Sequence, residues 1–240
     1  MTSSSAQPVI ITVDDAQNVS GLLQTPPKAR ACYVLAHGAG AGMNHPFMAA
    51  VAEGLAQRGI ATLRYQFPFM ERGSKRPGAP KIAQATVRAA VAAMCRLAPE
   101  LALIAGGKSF GGRMTSQAQA ASPLPGIRGI AFLGFPLHPP ALPSDERGKH
   151  LFDVRVPMLF MQGTRDQLAD SHLLGKLVEQ LGVRATLQLF ADADHSFHVP
   201  ARSGPSIQAF EGRRKDAEIR AEMLDALAGW IDDLLIVKKF

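Results

Sequence analysis

A serine flanked by glycines is the feature of this sequence that points most directly to chemistry. Residues 107–111, Gly-Lys-Ser-Phe-Gly, fit the pattern G-x-S-x-G and follow the apolar run Leu101–Ala105. At a strand-to-helix turn this pattern pushes the serine hydroxyl above a sheet, and the glycines leave room for the tight backbone. The following helix directs its free N–H groups toward that hydroxyl. Ser109 is therefore a candidate nucleophile.

Two other interpretations of this segment compete with a nucleophile. A five-residue pattern arises readily by chance in a chain with 22 glycines. Gly-Lys-Ser also ends the phosphate-binding motif G-x-x-x-x-G-K-S, but that motif needs a glycine where this chain has Ala102. The residues between, Leu103 to Ala105, are typical of a buried strand, so the sequence does not predict a nucleotide site.

A serine nucleophile needs a base that accepts its proton and an acid that orients the base. The chain offers both after Ser109. Asp166 follows the predicted strand Pro157–Met161, and His195 follows the predicted strand Thr186–Phe190. Because parallel strands end at the same edge of a sheet, we expect Ser109, Asp166 and His195 to converge there.

Each partner has a competitor nearby in the sequence. Asp170 lies one helical turn beyond the predicted acid, but it is better placed to cap the helix that follows. His198 lies three residues beyond His195 and could replace it. The two histidines, with Asp192 and Asp194, could also suggest a metal site. Metal ligands usually gather on a fixed scaffold, whereas this segment is a predicted loop, so we predict no metal.

Two backbone N–H groups are needed to stabilise the oxyanion of the attacked carbonyl. The residue after the nucleophile, Phe110, would supply one. The other is expected from the glycine-rich loop at residues 36–46, where alternating glycines let the backbone approach a ligand; Ala39 is the first choice and Gly40 the second.

Other polar residues near this edge receive weaker assignments. Lys108 adjoins the nucleophile, and Arg72 lies in the loop after the predicted strand Ile60–Tyr65. Both are candidate substrate-binding residues, with a preference for anionic substrates as the hypothesis and a solvated basic loop as the alternative. His37 and His45 precede the serine in the chain, and we interpret them as structural.

Apolar runs alternate with helical periodicity along the chain, which predicts a mostly parallel sheet covered by helices on both faces. The predicted strands are Val9–Val13, Ala31–Ala36, Ile60–Tyr65, Leu101–Ala105, Ile130–Leu133, Pro157–Met161 and Thr186–Phe190. Amphipathic helices are predicted around residues 83–94, 173–181 and 219–234. The proline-rich stretch 135–155 leaves room for a helical turn but not for a sizeable cap domain.

Composition narrows the function classes. With 240 residues, 47% of them hydrophobic and 19% charged, the chain suits one α/β domain spanning residues 1–240. No apolar run approaches the roughly 20 residues that span a bilayer, and no signal peptide is read. The net charge of +6 is spread along the chain, and few aromatics accompany it, so nucleic acid is not an expected partner. We expect a cytoplasmic monomer or homodimer.

Several sequence blocks carry a family resemblance. They are Ala-His-Gly-Ala-Gly at 36–40, Leu-Arg-Tyr-Gln-Phe-Pro-Phe-Met at 63–70, Gly-Gly-Lys-Ser-Phe-Gly-Gly-Arg-Met at 106–114, Gly-Phe-Pro-Leu-His-Pro-Pro at 134–140 and Asp-His-Ser-Phe at 194–197. Through these blocks the sequence resembles the α/β-hydrolase-like family that contains testis-expressed protein 30 and the third regulatory subunit of the NSL histone-acetyltransferase complex. It is more distantly similar to dienelactone hydrolases.

The resemblance implies an α/β-hydrolase fold, with Ser109, Asp166 and His195 in the catalytic positions. Their order in the chain, serine then acid then histidine, is the order used by that fold. We therefore expect a cofactor-free serine hydrolase that acts on an ester or thioester. Because the family also includes subunits of a chromatin complex, a non-catalytic binding or scaffold protein is the alternative.

Overall fold

An eight-stranded sheet forms the centre of the molecule. The structure is a computed structural model that describes residues 5–200 and 215–236. The strands are β1 (Gln7–Asp14), β2 (Gln17–Gln24), β3 (Ala31–Ala36), β4 (Ile60–Tyr65), β5 (Ala102–Lys108), β6 (Ile127–Leu133), β7 (Met158–Gly163) and β8 (Ala185–Phe190).

The spatial order of the strands is β1-β2-β4-β3-β5-β6-β7-β8. β1 and β2 pair antiparallel, as do β2 and β4, whereas every pair from β4 to β8 is parallel. All seven predicted strands are present, and the mostly parallel sheet is confirmed. The prediction lacked β2, which pairs with β1 to form a hairpin at one edge of the sheet.

Helices cover both faces of the sheet, as predicted. Their bounds are α1 (Pro46–Ala56), α2 (Pro68–Glu71), α3 (Pro80–Leu97), α4 (Phe110–Ala121), α5 (Ser171–Leu181) and α6 (Asp216–Ile236). Apolar residues of α3, α4 and α5 pack in one core cluster, whereas those of α1 and α6 pack in a second cluster. The central strands β3, β4 and β7 are buried along their whole length because each contacts both layers.

Local sequence signals explain where several helices begin. α1 and α3 each have proline in the first turn, where the missing N–H is not needed. Asp170 caps α5, as predicted: its side chain accepts a hydrogen bond from the N–H of Leu173 at 2.9 Å. These fixed starting points determine where the loops leave the sheet edge.

The connection between β6 and β7 carries no inserted domain. Its one helical element is a 3-10 helix at Glu146–Asp153, so the prediction of a fold without a sizeable cap domain is confirmed. None of the helices in the described ranges combines the length and apolar character needed to cross a membrane.

Candidate active site

Ser109 occupies a strained turn between β5 and α4. Its backbone has φ 51° and ψ −116°, a conformation that residues other than glycine seldom adopt. The two motif glycines are explained by close backbone contacts. A Cβ atom on Gly107 would lie 2.2 Å from the carbonyl oxygen of Ala36, and one on Gly111 would lie 2.5 Å from that of His37. The G-x-S-x-G pattern therefore reflects how tightly β5 and α4 pack against the end of β3.

Asp166 and His195 meet beyond the ends of β7 and β8. The imidazole Nδ1 of His195 lies 2.6 Å from Oδ2 of Asp166. The Asp166 side chain is completely buried, whereas that of His195 is 24% exposed. Oδ1 of Asp166 accepts a further hydrogen bond from the N–H of Leu168 at 2.8 Å. With Nδ1–H donating to the carboxylate, Nε2 of a neutral His195 is left as a proton acceptor.

Gln162, which the sequence interpretation did not single out, orients the acid. Its side-chain amide N–H donates to Oδ2 of Asp166, and its carbonyl oxygen accepts from the N–H of Phe135 at 2.8 Å. Gln162 is fully buried in β7. A polar side chain in this apolar strand was the available signal, because buried polar groups almost always serve a hydrogen-bonding partner.

A pocket of about 440 Å³ brings the remaining parts together. Ser109 and His195 both line it, and in the described part of the chain no direct hydrogen bond joins their side chains. The other lining residues are Gly38, Ala39, Gly40, Ala41, His45, Phe47, Met48, Lys108, Leu168 and Ser196. Most of these contribute apolar surface, and the sequence interpretation had not identified Phe47, Met48 or Leu168.

The proposed oxyanion donors lie on two sides of Ser109. Phe110 is the first residue of α4, so its N–H has no partner within the helix. On the other side, a Cβ atom on Gly38 would lie 3.8 Å from Cβ of Ser109, and the next two residues, Ala39 and Gly40, line the pocket. The structure thus brings together the segment that carries Phe110 and the loop that carries the two alternatives for the second donor, Ala39 and Gly40.

The His37 side chain connects this loop to the segment after β4. It is fully buried, its Nε2 accepts a hydrogen bond from the N–H of Phe67 at 2.9 Å, and its Nδ1 lies 2.7 Å from the carbonyl oxygen of Gly38. Burial lowers the pKa of His37 to about 4, although its backbone hydrogen bonds act in the opposite direction. A neutral imidazole therefore bridges the two backbone segments, in line with a structural role.

His198 is directed away from the acid that His195 contacts. Its Nδ1 lies 2.7 Å from Oδ2 of Asp216 at the start of α6, and both side chains are 47% exposed. The described residues contain no group of three or more metal-ligating side chains placed to hold an ion. The competitor histidine thus has a partner of its own.

The two candidate substrate-binding residues are placed differently. Lys108 lines the pocket, but its ammonium group donates to the backbone carbonyl of His195. Burial lowers the pKa of Lys108 to about 8, against the opposing influence of Asp166 and Asp194. The structure does not bring Arg72 to this pocket. Arg72 follows the last residue of the short helix α2 and borders a separate small cavity.

Comparison with known proteins agrees with this architecture. A family model for the alpha/beta hydrolase domain matches residues 29–224. A dienelactone hydrolase from Anabaena variabilis superposes with a TM-score of 0.73 at 19% identity, covering 97% of this chain and 99% of that one. A lid-free α/β serine hydrolase from Xanthomonas campestris gives 0.70 at 18% identity, covering 96% and 97%.

An esterase domain from Rhodothermus marinus is also similar, with a TM-score of 0.67 at 16% identity over 94% of this chain and 97% of that one. At such identities the structural likeness establishes the fold, and the chemistry must be argued from the site. The narrower resemblance to the family of testis-expressed protein 30 stays a prediction.

Proposed function

Because the chain belongs to the alpha/beta hydrolase domain family, we propose that it is a serine hydrolase that cleaves a small carboxylic ester or thioester. The observation that carries this proposal is the hydrogen bond between His195 and the buried Asp166, beside a pocket that His195 shares with Ser109. A base oriented by a buried carboxylate, in one pocket with a serine at a strained turn, fits the arrangement that acyl transfer uses.

In the proposed reaction, Ser109 Oγ attacks the acyl carbon while His195 Nε2 accepts its proton. Asp166 holds the imidazole in the required tautomer and stabilises the cation that forms. The backbone N–H groups of Phe110 and Ala39 donate to the oxyanion, and each such donor is typically worth about 10²–10³ in rate.

The imidazolium then protonates the leaving alcohol or thiol, and water releases the acyl group by the reverse route. No cofactor takes part in these steps. The proposal requires Ser109 Oγ and His195 Nε2 to reach hydrogen-bonding distance when substrate binds, as catalytic pairs often do only in the complex.

The pocket favours a small and largely uncharged acyl group. Phe47, Met48 and Leu168 provide apolar walls, and the connection between β6 and β7 carries no inserted domain. The solved relatives that are named as a dienelactone hydrolase, a lid-free serine hydrolase and an esterase domain support ester chemistry on this scaffold. We therefore favour short-chain esters over long-chain lipids.

A fluorophosphonate probe tests the proposal directly, because it labels only an activated serine. We expect the parent chain to be labelled and Ser109→Ala to remain unlabelled. Ser116→Ala is the matched control: the Ser116 hydroxyl also contacts a histidine, with Oγ lying 2.8 Å from Nε2 of His150, but this serine is fully buried. Labelling of this control should equal that of the parent.

Absence of labelling in a folded parent chain would favour the alternative, a non-catalytic binding or scaffold protein. Labelling that survives in Ser109→Ala would show that another nucleophile reacts. Hydrolysis of p-nitrophenyl acetate and butyrate by the same three proteins then separates turnover from simple acylation.

A further inference from the structure

The Lys108 side chain lies close to three loops that follow strands of the sheet. A Cβ atom on Gly38 would lie 3.7 Å from Cγ of Lys108, and one on Gly134 would lie 3.0 Å from its Nζ. The same Nζ donates to the backbone carbonyl of His195. The side chain therefore runs from the end of β5, past the loop after β3, to the loops after β6 and β8.

We propose that Lys108 is a positioning residue whose ammonium group holds the His195 loop against the strand that carries Ser109. This inference rests on the proposed function, since it assigns the positioning role to a residue next to the proposed nucleophile. It differs from the sequence-based hypothesis, in which Lys108 binds an anionic substrate.

The His195 loop is held by hydrogen bonds within itself and by contacts to neighbouring elements. Residues 191–200 form no helix or strand. Asp194 accepts hydrogen bonds from the N–H groups of Ser196 at 2.7 Å and His198 at 3.0 Å, all within the loop. Contacts to other elements come from Thr164, whose Oγ1 accepts from the N–H of Asp192 at 2.9 Å, and from Arg165, which pairs with Asp192 at 2.6 Å and donates its N–H to the carbonyl of Ala193 at 2.9 Å. Asp166, Asp216 and Lys108 also contact the loop, and Phe197 packs in the second core cluster. Of these, the Lys108 contact joins the loop directly to the residue before Ser109.

The surroundings of the ammonium fit a charged anchor. Asp166 and Asp194 act on it with opposite charge, and the Phe197 ring centroid lies 5.6 Å from Nζ. The charged and titratable groups that face it are Asp166 from the loop after β7 and Asp194 and His195 from the loop after β8. A hydrogen bond donated by a charged group is stronger than a neutral one and holds its acceptor more firmly.

A pH dependence follows from the buried position. The pKa of Lys108 is lowered to about 8, so the ammonium is charged below that pH and loses its proton above it. Deprotonation weakens the bond to the His195 carbonyl. We therefore expect kcat of the parent chain to fall as pH rises through about 8, and Lys108→Met to lack this falling limb.

The discriminating experiment uses two acyl groups of equal length, p-nitrophenyl butyrate and the monoanionic p-nitrophenyl hemisuccinate. Lys108→Met should lower kcat about 10- to 100-fold for both esters, with each KM within about 3-fold of the parent. The control is Lys176→Met, which removes an exposed lysine of α5 and should leave both parameters unchanged. Lys108→Gln serves as a second uncharged variant if the methionine variant does not fold.

A readout independent of turnover is amide hydrogen exchange of residues 191–199. Exchange there should be faster in Lys108→Met than in the parent and the control. If the parent hydrolyses neither ester and takes no fluorophosphonate, the proposed function fails, and faster exchange still supports the anchoring contact. If the parent is active and Lys108→Met matches it in both kcat and exchange, the positioning role is overturned alone. Selective loss of hemisuccinate turnover through a raised KM would instead assign Lys108 to substrate binding.

Discussion

Two histidines three residues apart in the sequence each contact an aspartate, and the two pairs lie in different surroundings. His195 contacts Asp166 at 2.6 Å and His198 contacts Asp216 at 2.7 Å, in both cases through Nδ1. By contact distance alone the two pairs are equivalent. They differ in their surroundings: the Asp166 side chain is completely buried, whereas that of Asp216 is 47% exposed.

The comparison shows that contact distance does not by itself distinguish the two pairs, and that burial and position in the fold do. A buried carboxylate interacts strongly with its partner, whereas an exposed pair is screened by water and contributes little. The His195 imidazole also lines the pocket that contains Ser109, whereas His198 joins its loop to α6. We interpret the first pair as catalytic and the second as structural.

The largest expected effect on kcat is that of removing His195, with His198 as the comparison. His195→Ala should lower kcat by about 10⁴–10⁶-fold, because it removes the base of the proposed triad. His198→Ala should change kcat by less than about 3-fold. Steady-state hydrolysis of p-nitrophenyl butyrate measures both, and comparable losses in the two variants would erase the distinction between the pairs.

Removing the charge of Asp166 should have the next largest effect on kcat, with Asp216 as the comparison. Asp166→Asn should lower kcat by about 10⁴-fold, because an amide no longer fixes the required tautomer of His195. Asp216→Asn should leave kcat nearly unchanged. The same assay applies, with circular dichroism to verify folding. A fully active Asp166→Asn protein would mean that another group orients the base.

A smaller effect on kcat is expected from Gln162, whose side-chain amide donates a hydrogen bond to Asp166. Gln162→Met removes the amide that donates to Asp166 and leaves the Phe135 N–H without its acceptor. We expect a 10- to 100-fold lower kcat and a loss of about 1–3 kcal/mol in the free energy of unfolding. Gln188→Met, on the edge strand β8, is the control. Unchanged turnover in Gln162→Met would limit this residue to a role in stability.

A third histidine extends the comparison to stability and gives the smallest expected effect. Burial lowers the pKa of His37 from 6.5 to about 4, so its contribution is present above about pH 6.5 and is lost as pH falls toward 4. This group alone should make unfolding about 2 kcal/mol easier at pH 5 than at pH 7.5.

His37→Gln offers an acceptor for the Phe67 N–H but does not titrate. Urea denaturation at the two pH values should therefore show a smaller decrease in the free energy of unfolding for this variant than for the parent. An equal decrease in both proteins would assign the acid sensitivity to other groups, such as His150, whose pKa burial also lowers to about 4.

Much of the site edge could be predicted because parallel strands impose it. Once β5, β7 and β8 are recognised as apolar runs, the residues that follow them must emerge at one edge, and Ser109, Asp166 and His195 are such residues. β2 was missed for an equally physical reason. It lies near the sheet edge and mixes polar with apolar residues, and its buried Gln24 is explained only by a hydrogen bond to Glu53 at 2.9 Å.

Side-chain direction was the part that sequence could not supply. The sequence shows that Lys108 is next to the proposed nucleophile. Its contact with the His195 carbonyl depends on the position of the loop after β8, which the sequence does not show. The same holds for Gln162, whose partner Asp166 lies four residues further on, across a turn. Arg72 follows a correctly predicted strand, but it lies at the end of the unpredicted short helix α2 and borders a different cavity.

The positive φ angle at Ser109 restricts which residues can occupy this position without strain. With φ 51° and ψ −116°, every L-residue at this position carries strain of order 1–3 kcal/mol, whereas glycine does not. A β-branched threonine is worse still, which closes one obvious route to an alternative hydroxyl. Ser109→Gly would therefore relieve the backbone strain and at the same time remove the hydroxyl that the proposed reaction needs.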